Sequence, residues 1–296
     1  MDWYRTDLAE ELRDREMARE AAAHRGELDG ILFDETRAGD IRTSTIEIVS
    51  EAGAKRLGKP MGRYVTVSFP TAAGLDHASF LALCDAVASQ LARLCAGKRR
   101  ILVCGVGNDD FAADALGVIA VRHVLVTHHL QEAGVPYMDT FADIAAITPG
   151  ITAKTGVETV SLVRSAVEAV APDAVLAVDS LAAGDACRLA RTVQLSDTGL
   201  APGSGVGNGR RALDETTLGV PVIALGVPTV VDAATLVSEA LAGEEVCEEA
   251  MARLSGLFVA PKEIDVIAEN LGRMIGFAVN RAFHGDLPYE EMAMMS

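Results

Sequence analysis

Continuous apolar runs that alternate with helical patterns constrain the fold of this chain more than any other feature. Residues 100–106 and 174–179 form two such runs, and residues 111–123 and 156–170 between them have helical patterns. Apolar runs of this length are typical of parallel strands that are buried on both faces. A third unit follows, with a strand over 220–226 and a helix over 231–243. The sequence therefore predicts an α/β fold.

Two of these predicted strands continue into an aspartate. Asp114 follows the first strand and the turn Gly105-Val106-Gly107-Asn108, and Asp179 ends the second strand. Because ligands of open α/β sheets bind outside the carboxyl ends of the strands, both carboxylates are expected at one crevice. Two carboxylates whose pKa values differ can act on one water as base and acid, and a pair can also hold one metal ion. Asp114 and Asp179 are the candidate catalytic pair.

Length and charge limit the possible functions. The chain has 296 residues, of which 50% are hydrophobic, so one large α/β domain is expected. The net charge of −16 argues against direct binding of nucleic acid by a basic surface. The sequence shows neither a signal peptide nor a long uncharged apolar stretch, which predicts a cytoplasmic protein without a membrane contact. Gly105-Val106-Gly107 lacks the third glycine of a dinucleotide-binding turn, because position 110 is Asp.

Further polar residues are candidates for substrate binding or for support of the pair. Asp197 lies in a single Asp-Thr-Gly sequence, whereas aspartic proteases need two copies, so a supporting role is expected. The glycine-rich loop 202–211 could bind an anion through backbone N–H groups, or allow the close approach of a peptide. In that loop Arg210 could bind acidic groups of a substrate. The other candidates of this kind are Asn108, His129, Glu158, Ser204 and Asn208.

Several longer motifs together point to a family. The longest are residues 194–208, which begin Gln-Leu-Ser-Asp-Thr-Gly, and residues 217–233; shorter ones lie within 51–66, 105–117 and 155–159. In these motifs the chain resembles the spore germination proteases, the GPR endopeptidase family of endospore-forming bacteria. The resemblance covers most of the chain. The family's two essential aspartates correspond to Asp114 and Asp179.

The resemblance implies a peptidase made as a zymogen that degrades small acid-soluble spore proteins during germination, in the cytoplasm of the spore core. It implies a homotetramer and a three-layer αβα sandwich akin to hydrogenase-maturation peptidases, with a β-containing N-terminal extension. We expect a single peptidase domain over residues 8–296, with an N-terminal layer to about 97 and the core sheet from about 98. No cofactor is expected, and the question of a divalent metal stays open. The chain departs from the family pattern at Ala113, His128 and Gly184.

The segment Arg5-Thr6-Asp7-Leu8-Ala9-Glu10 resembles the family's processing site, and also the acidic-then-apolar site that the family cuts in spore proteins. It predicts that residues 1–7 are a short pro-segment and that self-processing cuts between Asp7 and Leu8, either within one chain or between subunits. Acid pH is expected to favour the cut, because protonation relieves the repulsion between an acidic segment and an acidic catalytic pair. Two alternatives are a metallopeptidase of the same fold, with the ion held by the carboxylates, and a non-catalytic module that binds an anion or nucleotide through residues 202–211.

Overall fold

Strands and helices alternate along most of the chain. The computed structural model describes residues 4–22, 28–71, 75–201, 211–241, 247–285 and 287–295. The strands are β1 (Ile31–Ala38), β2 (Ile41–Ile48), β3 (Gly62–Ser68), β4 (Arg100–Gly105), β5 (Asp143–Ile147), β6 (Ala174–Ala183), β7 (Thr192–Ser196), β8 (Val222–Asp232) and β9 (Phe258–Val259). The α-helices are α1 (Ala9–Ala22), α2 (Glu51–Leu57), α3 (His77–Leu94), α4 (Leu116–Arg122), α5 (His128–Glu132), α6 (Thr152–Thr155), α7 (Thr159–Val170), α8 (Glu215–Leu218), α9 (Ala233–Ala240), α10 (Glu248–Leu254), α11 (Ile264–His284) and α12 (Tyr289–Met295). Three 3-10 turns lie at Ala112–Asp114, Met138–Thr140 and Ala186–Arg188.

All of these strands belong to one mixed sheet in the order β1-β2-β3-β7-β8-β6-β4-β5, with β9 paired to β8. The core strands β8, β6, β4 and β5 run parallel to one another. Strands β1, β2, β3 and β7 continue the sheet with antiparallel pairs. The predicted α/β sandwich with a parallel core and a β-containing N-terminal extension is confirmed. The extension shares the sheet with the core, because β3 pairs with β7.

Helices cover both faces of the parallel core. Alternate residues of β4 point to opposite faces: Ile101 and Val103 pack in a core with α3, α4 and α11, whereas Leu102 and Cys104 pack against α7 and α8. Burial on both faces explains why this strand is a continuous apolar run. The connection from β4 to β5 therefore crosses one face through α4, and the connection from β5 to β6 crosses the other through α7.

The long helix α3 illustrates how local sequence and packing agree. Asp76 caps its start, because a side-chain oxygen of Asp76 accepts a hydrogen bond of 2.7 Å from the backbone N–H of Ser79. Buried Phe80, Leu83 and Val87 recur at helical spacing on the face that packs against the sheet.

Candidate active site

The two candidate aspartates line the same cavity at the carboxyl end of β4. Asp114 closes the 3-10 turn Ala112–Asp114 after β4. Asp179 follows Val178, which is the β6 partner of Gly105 at the end of β4. Both side chains border a cavity of about 440 Å³. Asp179 is 4% exposed, and Asp114 is half-buried.

The topology explains why the cavity lies at this position. From β4 the chain passes to β5 on one side, and β6 lies on the other side of β4. Connections that leave in opposite directions open a crevice at the carboxyl ends of the strands. Strand β6 extends to Ala183, beyond the predicted end at Asp179, because β8 pairs with it past the end of β4. Asp179 therefore projects from a paired strand rather than from a loop.

Close packing positions Asp114. A Cβ atom added at Gly107 would lie 1.9 Å from the backbone oxygen of Asp114, so a side chain at Gly107 does not fit. That oxygen accepts a hydrogen bond of 2.9 Å from the N–H of Asn108. The buried hydroxyl of Thr229 donates to the carbonyl of Ala113 at 2.6 Å. Thr229 is the extra residue where the β6–β8 register shifts, and a bulge of this kind re-aims a side chain beside a functional site.

Asp179 lies in a row of residues that crosses three strands. It pairs with Gly226 of β8, and Gly226 pairs with Gln194 of β7. All three line the cavity. On the neighbouring strand β4, burial raises the pKa of the Cys104 thiol to about 12, and the nearby charge of Asp179 adds to this effect.

The N-terminal segment of the chain contributes one residue to the lining of this cavity. Asp7 lines it together with Asp114 and Asp179. The backbone N–H of Asp7 donates to the carbonyl of Ala182 at 2.9 Å, and the N–H of Ala182 donates to Oδ2 of Asp7 at 2.9 Å. The carbonyl oxygen of Asp7 accepts hydrogen bonds from Lys59 Nζ at 2.9 Å and from Gln194 Nε2 at 3.0 Å.

Residues on both sides of Asp7 fix the segment. Leu8 is fully buried and packs against apolar side chains of β6, β8 and α9. Glu11 accepts hydrogen bonds from the hydroxyl of Thr6 and from the N–H groups of Gly184 and Asp185, the last two at 2.7 and 3.1 Å. Burial raises the pKa of Glu11, and these hydrogen bonds oppose that shift only in part. The bond between Asp7 and Leu8 is thus held at a defined place at the edge of the cavity.

The other predicted site residues lie outside the cavity wall or outside the described residues. Asn108 Oδ1 accepts from the N–H of Asp110 at 3.2 Å, as in a turn. Asp197 is exposed and accepts from the N–H of Arg63 at 2.7 Å. Glu158 is exposed at the start of α7, and His129 is exposed on α5. Ser204, Asn208 and Arg210 lie outside the described residues.

The three departures from the family pattern have identifiable surroundings. Ala113 provides the carbonyl that Thr229 holds. The ring of Tyr4 fills the space beside Gly184, where an added Cβ would meet it at 2.3 Å. His128 Nδ1 lies at hydrogen-bond distance, 2.7 Å, from a carboxylate oxygen of Asp143, outside the cavity wall.

Two residues that the sequence analysis did not single out, Lys59 and Gln194, border the cavity and contact the segment. A signal for Gln194 was available: in β7 the apolar Val193 and Leu195 alternate with polar residues, although the whole strand is buried. Such a strand must present its polar face to other polar groups. Lys59 gives no comparable signal, because it lies in the turn after α2.

Two further findings concern the described residues alone. They contain no group of three or more His, Cys, Asp and Glu side chains arranged to hold a metal ion. In the same ranges, no helix is both long and apolar enough to cross a membrane.

Comparison with known proteins identifies the family. The sequence matches the germination protease family over residues 8–243. The chain belongs to the germination protease family. The germination protease of Clostridium perfringens is 38% identical, and the alignment covers 97% of each chain. That of Caldanaerobacter subterraneus is 34% identical over 97% of this chain and 96% of its own, and that of Oceanobacillus iheyensis is 40% identical over 80% and 66%.

A solved structure is similar at a lower level. It is a [NiFe] hydrogenase maturation protease, HycI from Thermococcus kodakarensis, with 21% identity and a TM-score of 0.37, covering 64% of this chain and 99% of that one. Family membership makes this chain a protease that functions in germination.

Proposed function

We propose that this protein is an aspartate-dependent endopeptidase, made as a zymogen, that degrades small acid-soluble spore proteins during germination. The observation that carries the proposal is that Asp7, on the amino side of the Asp7–Leu8 bond, lines the same cavity as Asp114 and Asp179. A peptide segment at a pair of carboxylates is the arrangement that peptide hydrolysis by an activated water requires.

The aspartate pair supplies the acid and the base. The ionised carboxylate takes a proton from water, and the resulting oxygen attacks the carbonyl carbon of the peptide bond. The C–N bond then breaks, and the protonated carboxyl gives its proton to the leaving nitrogen, which yields a carboxylate and an amine. One ionised and one protonated carboxyl fill these two roles when their surroundings make their pKa values unequal.

The contacts of Asp7 and Leu8 support a specificity for an acidic residue followed by an apolar one. The Asp7 carboxylate accepts from the N–H of Ala182, and Leu8 fills an apolar recess. This is the acidic-then-apolar pattern that the family resemblance implies for spore proteins. The chain's own segment therefore mimics the substrate, and its removal after Asp7 would open the cavity to other proteins.

Assembly and location are parts of the proposal that rest mainly on the family resemblance. We propose a homotetramer in the cytoplasm of the spore core, without direct contact to DNA or to a membrane. The edge strand β1 supports an interface between subunits, because an edge strand can pair with another chain. Its residues are largely exposed, and Leu32 is 58% exposed. Sedimentation should give a tetramer at micromolar concentration, and a stable monomer would contradict this part.

The test is digestion of a purified small acid-soluble spore protein with and without a chelator, with Asp114→Asn and Asp179→Asn as variants. We expect cleavage that the chelator does not affect and that each substitution reduces by several orders of magnitude. Loss of cleavage with chelator would favour the metallopeptidase alternative. If the wild type cuts nothing while a nucleotide raises its melting temperature, the non-catalytic binding module is favoured instead.

A further inference from the structure

The carbonyl oxygen of Asp7 accepts hydrogen bonds from two side chains. Lys59 Nζ donates to it at 2.9 Å and Gln194 Nε2 at 3.0 Å. This oxygen belongs to the Asp7–Leu8 peptide bond. Two side-chain donors at hydrogen-bond distance from one carbonyl are the arrangement found where an oxyanion develops during acyl transfer.

Neighbouring contacts fix the orientation of both donors. The Oε1 atom of Gln194 accepts from the N–H of Ala9 at 2.7 Å, so the NH₂ group must face Asp7. Lys59 follows Gly58, the left-handed residue that ends α2, so the end of that helix sets where its chain begins. Burial lowers the pKa of Lys59, and the charge of Asp7 opposes this shift. An ammonium in such an environment acts strongly on a developing negative charge.

The sheet places these donors opposite the aspartates. Gln194 and Asp179 flank Gly226 in one row of paired residues and project from the same face. Two strand spacings separate their backbones by roughly 10 Å. An added Cβ at Gly226 would lie 2.6 Å from the side chain of Leu181, so Leu181 packs directly over the glycine between them.

We propose that Lys59 and Gln194 form the oxyanion site of this peptidase, a role that rests on the proposed function of Asp114 and Asp179. Water adds to the Asp7 carbonyl carbon, the electron pair of the C=O bond moves to the oxygen, and the water proton passes to the aspartate pair. Lys59 and Gln194 stabilise the negative oxygen. When the C–N bond breaks, that electron pair re-forms C=O, and the pair's proton goes to the nitrogen of Leu8.

A role in docking alone predicts different kinetics. Donors that merely hold the segment stabilise the ground state and the transition state equally, and their loss lowers only the fraction of chains with a docked segment. Oxyanion donors act more strongly on the transition state. Their loss slows the chemical step while the segment stays docked.

The experiment compares the rate of self-processing with docking in the full chain. The rate of self-processing is measured as the loss of residues 1–7, followed by intact mass. The variants are Lys59→Met, Gln194→Met and Lys59→Arg. The matched control is Lys55→Met, which replaces an exposed lysine of α2. Docking is the protection of the Asp7 amide hydrogen against exchange. It is measured with Asp179→Asn added to each variant, so that the segment stays uncut.

We expect each Met substitution at the two donors to slow processing by about 10²- to 10³-fold, the effect of removing one oxyanion donor. Protection of the Asp7 amide hydrogen should change by less than about threefold, because the Asp7 N–H donates to the carbonyl of Ala182 and to neither substituted side chain. Lys59→Arg should recover much of the rate, and Lys55→Met should match the wild type. If Lys59→Met does not fold, Gln194→Met carries the test.

Two results would overturn the oxyanion role: wild-type processing rates in both variants, or a loss of protection as large as the loss of rate. Failure of the proposed function gives a different result. In that case Asp114→Asn and Asp179→Asn would process themselves at the wild-type rate, whatever the donors do.

Discussion

Gly107→Ala tests how Asp114 is positioned. Real Cβ atoms essentially never lie within 3.0 Å of another heavy atom, and the new Cβ would lie 1.9 Å from the Asp114 oxygen. The turn that carries Asp114 must therefore retreat by about 1 Å. Misplacement of a catalytic group by this distance costs on the order of 10²-fold in rate. Gly107 also has a φ of +124°, which an alanine adopts only with strain.

The control separates strain from displacement. Gly219 also has a positive φ, of +75°, but an added Cβ there meets nothing within 4 Å. Gly219→Ala should lose about 1 kcal/mol of stability and keep its activity. Gly107→Ala should lose far more activity than Gly219→Ala, even at temperatures where both variants stay folded. The assay is cleavage of a small acid-soluble spore protein, with the melting temperature measured in parallel. A folded Gly107→Ala protein with wild-type activity would refute the reasoning.

Three further predictions concern the turn and the docked segment. Thr229→Val should lower the stability by about 1 kcal/mol, because the turn that carries Asp114 loses a buried hydrogen bond. The cleavage rate should fall by a larger factor than this energy corresponds to; a fall that only matches this energy would contradict the prediction. Leu8→Ala removes a fully buried side chain, so exchange of the Asp7 amide hydrogen should accelerate roughly 30-fold or more, as a cost of about 2 kcal/mol implies; unchanged exchange would mean that Leu8 does not hold the segment. The raised pKa of Glu11 means that the folded chain binds this proton more tightly than the unfolded chain, so its stabilisation is complete below the ordinary carboxyl pKa and is lost as the pH rises through the raised value. Glu11→Gln should remove that slope from the melting temperature at pH values above the ordinary carboxyl pKa, whereas exposed Glu51→Gln should keep it.

The parallel core was predictable because burial on both faces leaves a continuous apolar run in the sequence. The strands over 100–106 and 174–179 correspond to β4 and β6, and their order along the chain brought Asp114 and Asp179 to one crevice. Strand β1 was not predicted, because its residues are largely exposed and carry no alternating apolar pattern.

The contacts of the N-terminal segment were not predictable. Lys59 and Gln194 meet at Asp7 only because β3 and β7 pair across a long separation in sequence, which local patterns do not encode. The sequence predicted the cut after Asp7 by resemblance alone. It gave no indication that Leu8 would be fully enclosed or that the carbonyl of Asp7 would accept two side-chain hydrogen bonds.

The intact mass of the purified full chain tests the central claim most directly. Wild type and Asp179→Asn are incubated at mildly acidic and at neutral pH and sampled over time at two protein concentrations. We expect the wild type to lose residues 1–7, faster at acid pH and at a rate independent of concentration, because Asp7 lines the cavity of its own chain. Asp179→Asn should keep the intact mass. Loss of residues 1–7 from Asp179→Asn at the wild-type rate would contradict the account, as would an intact wild type that still digests spore proteins.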